Sequence, residues 1–451
     1  MSKISVLLAG SALAFGISVL VVHEGRVVLA GEDSNQGRSQ ADPVSQNAER
    51  LIKEGRRTFR FDTFGDEAFW GGTLKLHEAI EGAKFGGVGA GLSPRAALGV
   101  GLKVDVDALP REVIQQLKAG QVNLDDPAVT LALLKLRAVV GVTGAFNSGG
   151  TLSSVGIQCS LCHSTVDNSF APGIGRRLDG WANRDLNVGA IVSLAPNLAP
   201  VADLLHTDVA TVRKVLLAWG PGKFDAELLM DGKGFRPDGK SASVLIPPAF
   251  GLAGVNLHTW TGWGSVPHWN AFVANLEMHG KGRFFDPRLN NPDQFPIAAE
   301  NGFGDLPHID PADDRVTGKL APLQLYQLSI AAPKPTPGRD FNLAAAQRGD
   351  VLFTGKAKCN GCHVEPLFTE PGWNLHTPEE VCVDSFQADR APDHRYRTSP
   401  LAGLFTHQKG GFYHDGRFAT LNDVVNHYNS CMSLGLTGQE KSDLVQYLLS
   451  L

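Results

Sequence analysis

The chain has 451 residues, 43% hydrophobic and 19% charged, which suits a folded globular protein with room for more than one core and excludes a disordered or collagen-like chain. A net charge of −5, with no dense basic run, gives no surface that would track phosphates, so nucleic acid is not an expected partner. Only six cysteines are present, Cys159, Cys162, Cys359, Cys362, Cys382 and Cys431.

The N-terminus places Lys3 before the apolar run "ISVLLAGSALAFGISVLVV" and reaches polar sequence after Ala30, the pattern of an export signal cleaved there. The run is also long enough to span a bilayer if uncleaved, which is the one membrane contact expected. Either way the protein is expected to be periplasmic or otherwise exported. Residues 31–47 read as a polar linker. Residues 48–150 form an N-terminal helical region with helical periods in "DDPAVTLALLKLRAVVGV" and an aromatic cluster in "RTFRFDTFGDEAFWGG", which is expected to be core.

Residues 151–282 contain "CSLCH" at 159 to 163, and residues 341–451 contain "CNGCH" at 359 to 363. Two thiols at this spacing can add to the two vinyl groups of one haem, and the adjacent histidine then reaches the iron. Cys159, Cys162, Cys359 and Cys362 are thus expected to hold two covalently bound haem c groups, with His163 and His363 as iron ligands. Residues 283–340, rich in Pro and Asp, read as a connecting segment. Around the second motif, "NLAAAQRGDVLFTGKAKCNGCH" predicts a helix in which Gly349 allows close packing. "LTGQEKSDLVQYLLSL" predicts a terminal helix started by a Thr437–Glu440 capping box.

A related segment follows each motif: "IPPAFGLAGVNLHTWTGWGSVPHWNAFVANLEM" and "RTSPLAGLFTHQKGGFYHDGRFATLNDVVNHYNSCM". The fold expected is mainly α, with two cytochrome c-type haem domains related by internal duplication and an N-terminal helical extension. Arg417, after "HDG", offers two parallel donors to a haem propionate, with His414 the lesser candidate. On a helix beginning near Thr420, Tyr428 and Met432 share a face and His427 points aside, so either of the first two can face the second iron. Cys382 and Cys431, not needed for haem, can pair in an oxidising compartment.

The stretch "YRTSPLAGLFTHQKGGFYHDGRFATLNDVVNHYN" resembles the C-terminal signature of the bacterial di-haem cytochrome c peroxidase superfamily, which also contains the di-haem enzyme that matures methylamine dehydrogenase. The resemblance covers about 345–451 and the first motif strongly, and 246–282 weakly. It implies an N-terminal haem that reacts with peroxide and a second that relays electrons. It also implies a tryptophan between the haems, at Trp260, and an inter-haem calcium whose ligands are not clearly matched. Where the family has a methionine ligand position 428 is tyrosine, as in the maturation enzyme, so Tyr428 is the expected ligand of the second iron. The family's catalytic glutamate position is Gly280 and its glutamine position Asn270, which leaves Glu277, His279 or His258 to supply acid-base chemistry. The equivalent of the distal ligand in the first repeat is Ala274, which cannot ligate, so the first iron is expected to be open unless His258 or Met278 closes it.

These features point to an exported di-haem oxidoreductase that reduces peroxide or activates oxygen, served by a redox partner such as a small cytochrome or copper protein. The alternatives are a plain electron-transfer cytochrome, or an oxidase or oxygenase of an organic substrate with the N-terminal region as a lid.

Overall fold

The computed structural model describes residues 42–306, 309–407 and 409–451. The export signal and most of the linker lie outside the described residues. Among those described, no helix is long and apolar enough to cross a membrane.

The architecture is mainly α. Helix α1 (Pro43–Phe61) begins within the stretch read as linker. The hairpin β1 (Val142–Phe146) and β2 (Leu152–Ile157) leads directly into the first motif, and β3 (Ser164–Val166) leaves it to pair with β4 (Arg177–Asp179). Helix α2 (Val266–Phe272) continues as a π-helical turn over Val273–Glu277. Helices α3 (Leu320–Ser329), α4 (Leu343–Thr354), α5 (Leu421–Cys431) and α6 (Gly438–Leu449) complete the frame.

Local chemistry explains the boundaries in the C-terminal part. Asn342 caps α4 by accepting from Ala345 N–H. Thr420–Asp423 and Thr437–Glu440 form reciprocal capping boxes at the starts of α5 and α6. A Cβ at Gly349 would lie 2.2 Å from the Asp443 carbonyl oxygen, so only glycine lets α4 meet α6 this closely. Next to that crossing the rings of Phe353 and Tyr447 lie 5.1 Å apart.

The segment expected to be a mere connection ends in a packed helix. A Cβ at Gly55 on α1 would lie 1.9 Å from the Pro322 carbonyl oxygen on α3, and Phe59 packs edge-on against Tyr326 at 5.5 Å. The same four roles recur in α4 and α6. "GRRTF" matches "GDVLF" and "PLQLYQLS" matches "DLVQYLLS" in residue and in contact. Composition hid α3 because Pro311, Pro322 and the aspartates before it read as loop, whereas Leu323 and Tyr326 are buried against Phe59 and Phe64.

Candidate functional site

The two Cys-x-x-Cys-His motifs meet across one short stretch of chain, Leu245 to Pro247. His163 donates from Nδ1 to the Pro247 carbonyl at 3.1 Å. A carbonyl only accepts, so the proton sits on Nδ1 and Nε2 keeps its lone pair. Burial lowers the pKa of this ring to about 4, which keeps it neutral. His363 is held in the same way, from Nδ1 to the Phe368 carbonyl at 2.9 Å, and burial lowers its pKa too. Two neutral imidazoles with the outer nitrogen free are suitable ligands for a transition metal.

Trp260 joins the same stretch. Its indole N–H donates to Leu245 O at 2.8 Å, two residues from the carbonyl that holds His163. Trp260 and Pro247 both line a cavity of about 260 Å³ that also contains Cys359, Cys362 and His363. The indole and the carbonyl-bearing residue that anchors the first histidine thus line the second motif's cavity together. The Trp260 carbonyl accepts Arg397 N–H, which fixes the loop.

Helix α5 brings two candidate ligands to this cavity. Tyr428 and Met432 both line it. Tyr428 is enclosed, and burial raises its phenol. Met432 is 45% exposed, which marks it as the rim residue of the two. His427 lies to the side, its Nε2 at 2.9 Å from Val381 O. The disulfide between Cys382 and Cys431 ties the Val381 segment to the end of α5. Tyr413, which sequence reasoning missed, faces Tyr428 with ring centroids 6.1 Å apart, and the two phenols interact, which raises Tyr413 further than burial alone.

Arg417 is engaged elsewhere. Its guanidinium pairs with Asp415 at 2.9 Å and with Asp384 at 2.5 Å, and it lines a surface cleft rather than the cavity. His414 lines the cavity, stacked on Tyr396. The guanidinium groups that face the cavity are Arg184 and Arg397. Arg184 has buried, unpartnered Nε and Nη1 atoms, and Arg397 an unpartnered Nε. Burial lowers both to about 10. Buried N–H donors without an acceptor are rare, so these two call for an anion in the cavity. Sequence reasoning missed them because neither adjoins a recognisable motif.

At the first motif, Cys159 and Cys162 are partly buried, and burial raises both thiols to about 12. Glu277 on the π-helical turn lies within electrostatic range of Cys162; its Oε1 is buried without a partner, and its pKa is raised well above the usual carboxyl range by burial, then by Glu227 and Asp225. The structure does not bring His258 there. Its Nε2 is 3.0 Å from Val255 O, and its ring is near Arg397. His279 is stacked on Phe69 at 3.5 Å. Ala274 and Met278 are buried against Phe59 and Phe64. Asn270 donates to Gln327 at 2.7 Å, and a Cβ at Gly280 would meet Phe64. Trp70 donates to Met278 O at 3.1 Å, so residues 63–75 cover the turn that carries Glu277. Among the described residues, Cys362, Glu370 and His376 approach one another closely enough to share an ion, but they are not the all-oxygen shell calcium takes.

A mainly α protein with two Cys-x-x-Cys-His sites has the residues that c-type cytochromes use to hold haem. No family model matches the chain. Over 234 residues it is 27% identical to the cytochrome-c peroxidase IdrP1 of Denitromonas iodatirespirans, covering 40% of this chain and 60% of that one. Over 202 residues it is 27% identical to the methylamine utilization protein MauG of Methylorubrum extorquens, covering 40% of this chain and 54% of that one. The chain thus spans somewhat over half the length of these curated relatives. Among solved structures it is similar to the diheme peroxidase BthA of Burkholderia thailandensis, at 18% identity and a TM-score of 0.31 over 52% of this chain and 78% of that one. These similarities support the resemblance to the bacterial di-haem cytochrome c peroxidase superfamily, at low identity.

Proposed function

We propose that this chain is an exported di-haem c-type cytochrome that reduces peroxide or activates oxygen at the site of His163, with the site of His363 passing electrons to it. The observation that carries this reading is the shared Leu245–Pro247 stretch, which holds His163 by one carbonyl and Trp260 by another while forming a wall of the second cavity. Cys159 and Cys162 would hold the first haem and Cys359 and Cys362 the second. His163 and His363 would be the iron ligands, with Tyr428 opposite His363. The unpartnered N–H groups of Arg184 and Arg397 suit haem propionates, the anion their burial calls for. Haem supplies a one-electron couple at each site and, where a coordination position is open, a place for peroxide or oxygen.

The protein's own residues do the rest. Trp260 offers an aromatic path between the sites. Glu277 holds a proton near the first site, in place of the glutamate absent at Gly280. The matching pairs α1 with α3 and α4 with α6 support a duplicated haem domain, in which the intervening stretch 62–158 is an insertion into the first copy.

Pyridine-haemochrome absorbance and intact mass should give two haems per chain. Carbon monoxide should bind the reduced protein, and peroxide should oxidise a reduced small cytochrome in its presence. Two haems with no carbon monoxide binding and no peroxide-dependent oxidation would leave a plain electron-transfer cytochrome. A second reading, oxidation of an organic substrate, is favoured by the cover that Phe69 and Trp70 form over Met278 and His279. Peroxide consumption without a cytochrome donor, but with such a substrate, would select it.

A further inference from the structure

Away from the histidines, the most heavily charged interior lies between the segment 225–231 and the short helix Phe386–Asp389. Arg390 is 1% exposed. It pairs with Asp225 at 2.9 Å and with Asp231 through Nε at 2.7 Å, and also donates to Ala242 O. Gln387 donates to Glu227 Oε1 at 3.0 Å. Glu227 Oε2 is left buried and unpartnered. From a different element, the π-helical turn, Glu277 brings a second buried, unpartnered oxygen; it is 9% exposed, within electrostatic range of Glu227 and Asp225 on one side and of Cys162 on the other.

Three carboxyls, Asp225, Asp231 and Glu227, thus share one guanidinium, and Glu277 adds a fourth carboxyl beside them. Arg390 matches Asp225 and Asp231 by direct ion pairs. Among the described residues no ion pair reaches Glu227 or Glu277, and Arg390 acts on Glu227 only beyond its two direct pairs; an ionised carboxylate buried without a direct partner costs several kcal/mol, so such a group takes up a proton instead. Burial raises Glu227 and Glu277, consistent with the geometry.

We propose that Glu227 and Glu277 form a buried two-carboxyl proton store that serves the first Cys-x-x-Cys-His site, with Arg390 and Gln387 as positioning residues. The proposal rests on peroxide reduction at that site. Reduction of one hydrogen peroxide cleaves the O–O bond and yields two water molecules, taking up two electrons and two protons. The electrons come from the reduced redox partner, and the store supplies one proton from each carboxyl and is refilled from solvent. The same store couples the charge of the first site to pH even when no peroxide is present, because an added electron draws a proton toward the nearby carboxyl.

The experiment uses the haem-loaded full chain and its Glu227→Gln and Glu277→Gln variants. Infrared spectra at neutral pH should show protonated-carboxyl C=O bands that shift in heavy water and are lost one per variant. The midpoint potential of the first haem should fall as pH rises in the parent and become flatter in Glu277→Gln. Peroxide turnover should drop about a hundredfold in Glu277→Gln, and in Glu227→Gln the alkaline limb of the pH profile should move with KM unchanged. Absence of the bands, or bands accompanied by potentials and pH profiles identical in all three proteins, would overturn the store. If the parent turns over no peroxide, the functional reading falls by itself. The bands and the pH dependence of potential then decide whether the carboxyls still serve the first site.

Discussion

At the residue scale, Tyr428 and Met432 pose a choice between two donors on one helix face. Tyr428 is enclosed, while Met432 sits at the rim. Tyr428→Phe should open the second iron to added ligands such as cyanide, and Met432→Leu should leave its absorption spectrum nearly unchanged. The reverse pair of results would assign the site to methionine. A second choice concerns the propionates. Arg184→Ala should shift the second haem's midpoint potential and lower haem occupancy, because it removes donors that have no other partner. Arg417→Ala should instead free Asp384 and Asp415 at the surface cleft and change the potential little. Asp66 gives a pH prediction. Burial raises it from 3.8 to about 9, although Ile157 N–H donates to it. The folded protein therefore keeps a proton that the unfolded chain releases above about pH 4, so stability is greatest below that pH and falls as pH rises toward 9. Each unit of that displacement is about 1.4 kcal/mol. Asp66→Asn should flatten the decline and be more stable than the parent at alkaline pH, as urea denaturation across pH would measure.

The elements differ in how openly the sequence announces them. Both Cys-x-x-Cys-His motifs are legible because their cysteines and histidine are adjacent in the chain. Helices α4, α5 and α6 are legible because their caps and apolar faces are local. Helix α3 is not, since its partner α1 lies on the far side of the first motif and its own proline resembles a loop signal. Arg184, Arg397 and Arg390 are hidden for a related reason: each acts on groups supplied by distant segments. The close helix crossings carry their own prediction. Gly349→Ala and Gly55→Ala each place a methyl within 2.2 Å and 1.9 Å of a carbonyl oxygen. Each should cost about 2–3 kcal/mol by overpacking, visible as a lowered denaturation midpoint. Alanine at Gly361, where no atom lies within 4 Å of the added Cβ, should be tolerated.

On the scale of the whole molecule, the ion pairs of Arg390 join the 225–231 segment to the segment before Tyr396 without exposure to solvent. Removing one partner of a buried ion pair leaves the others uncompensated, so Arg390→Leu should cost about 3–5 kcal/mol. Calorimetry at acid pH should recover part of that loss, because burial already raises Asp225 to about 6 and protonating it removes unpaired charge.

The crossing of α1 with α3 also sets an order of events during biogenesis. Position 55 cannot meet position 322 until most of the chain has been made, whereas 349 meets 443 within a single compact stretch. Cys159 packs against the cluster that the first crossing builds, Phe59, Leu323 and Tyr326, and is then only partly exposed. The long separation leaves Cys159 free of that packing from the time it is made until α3 docks.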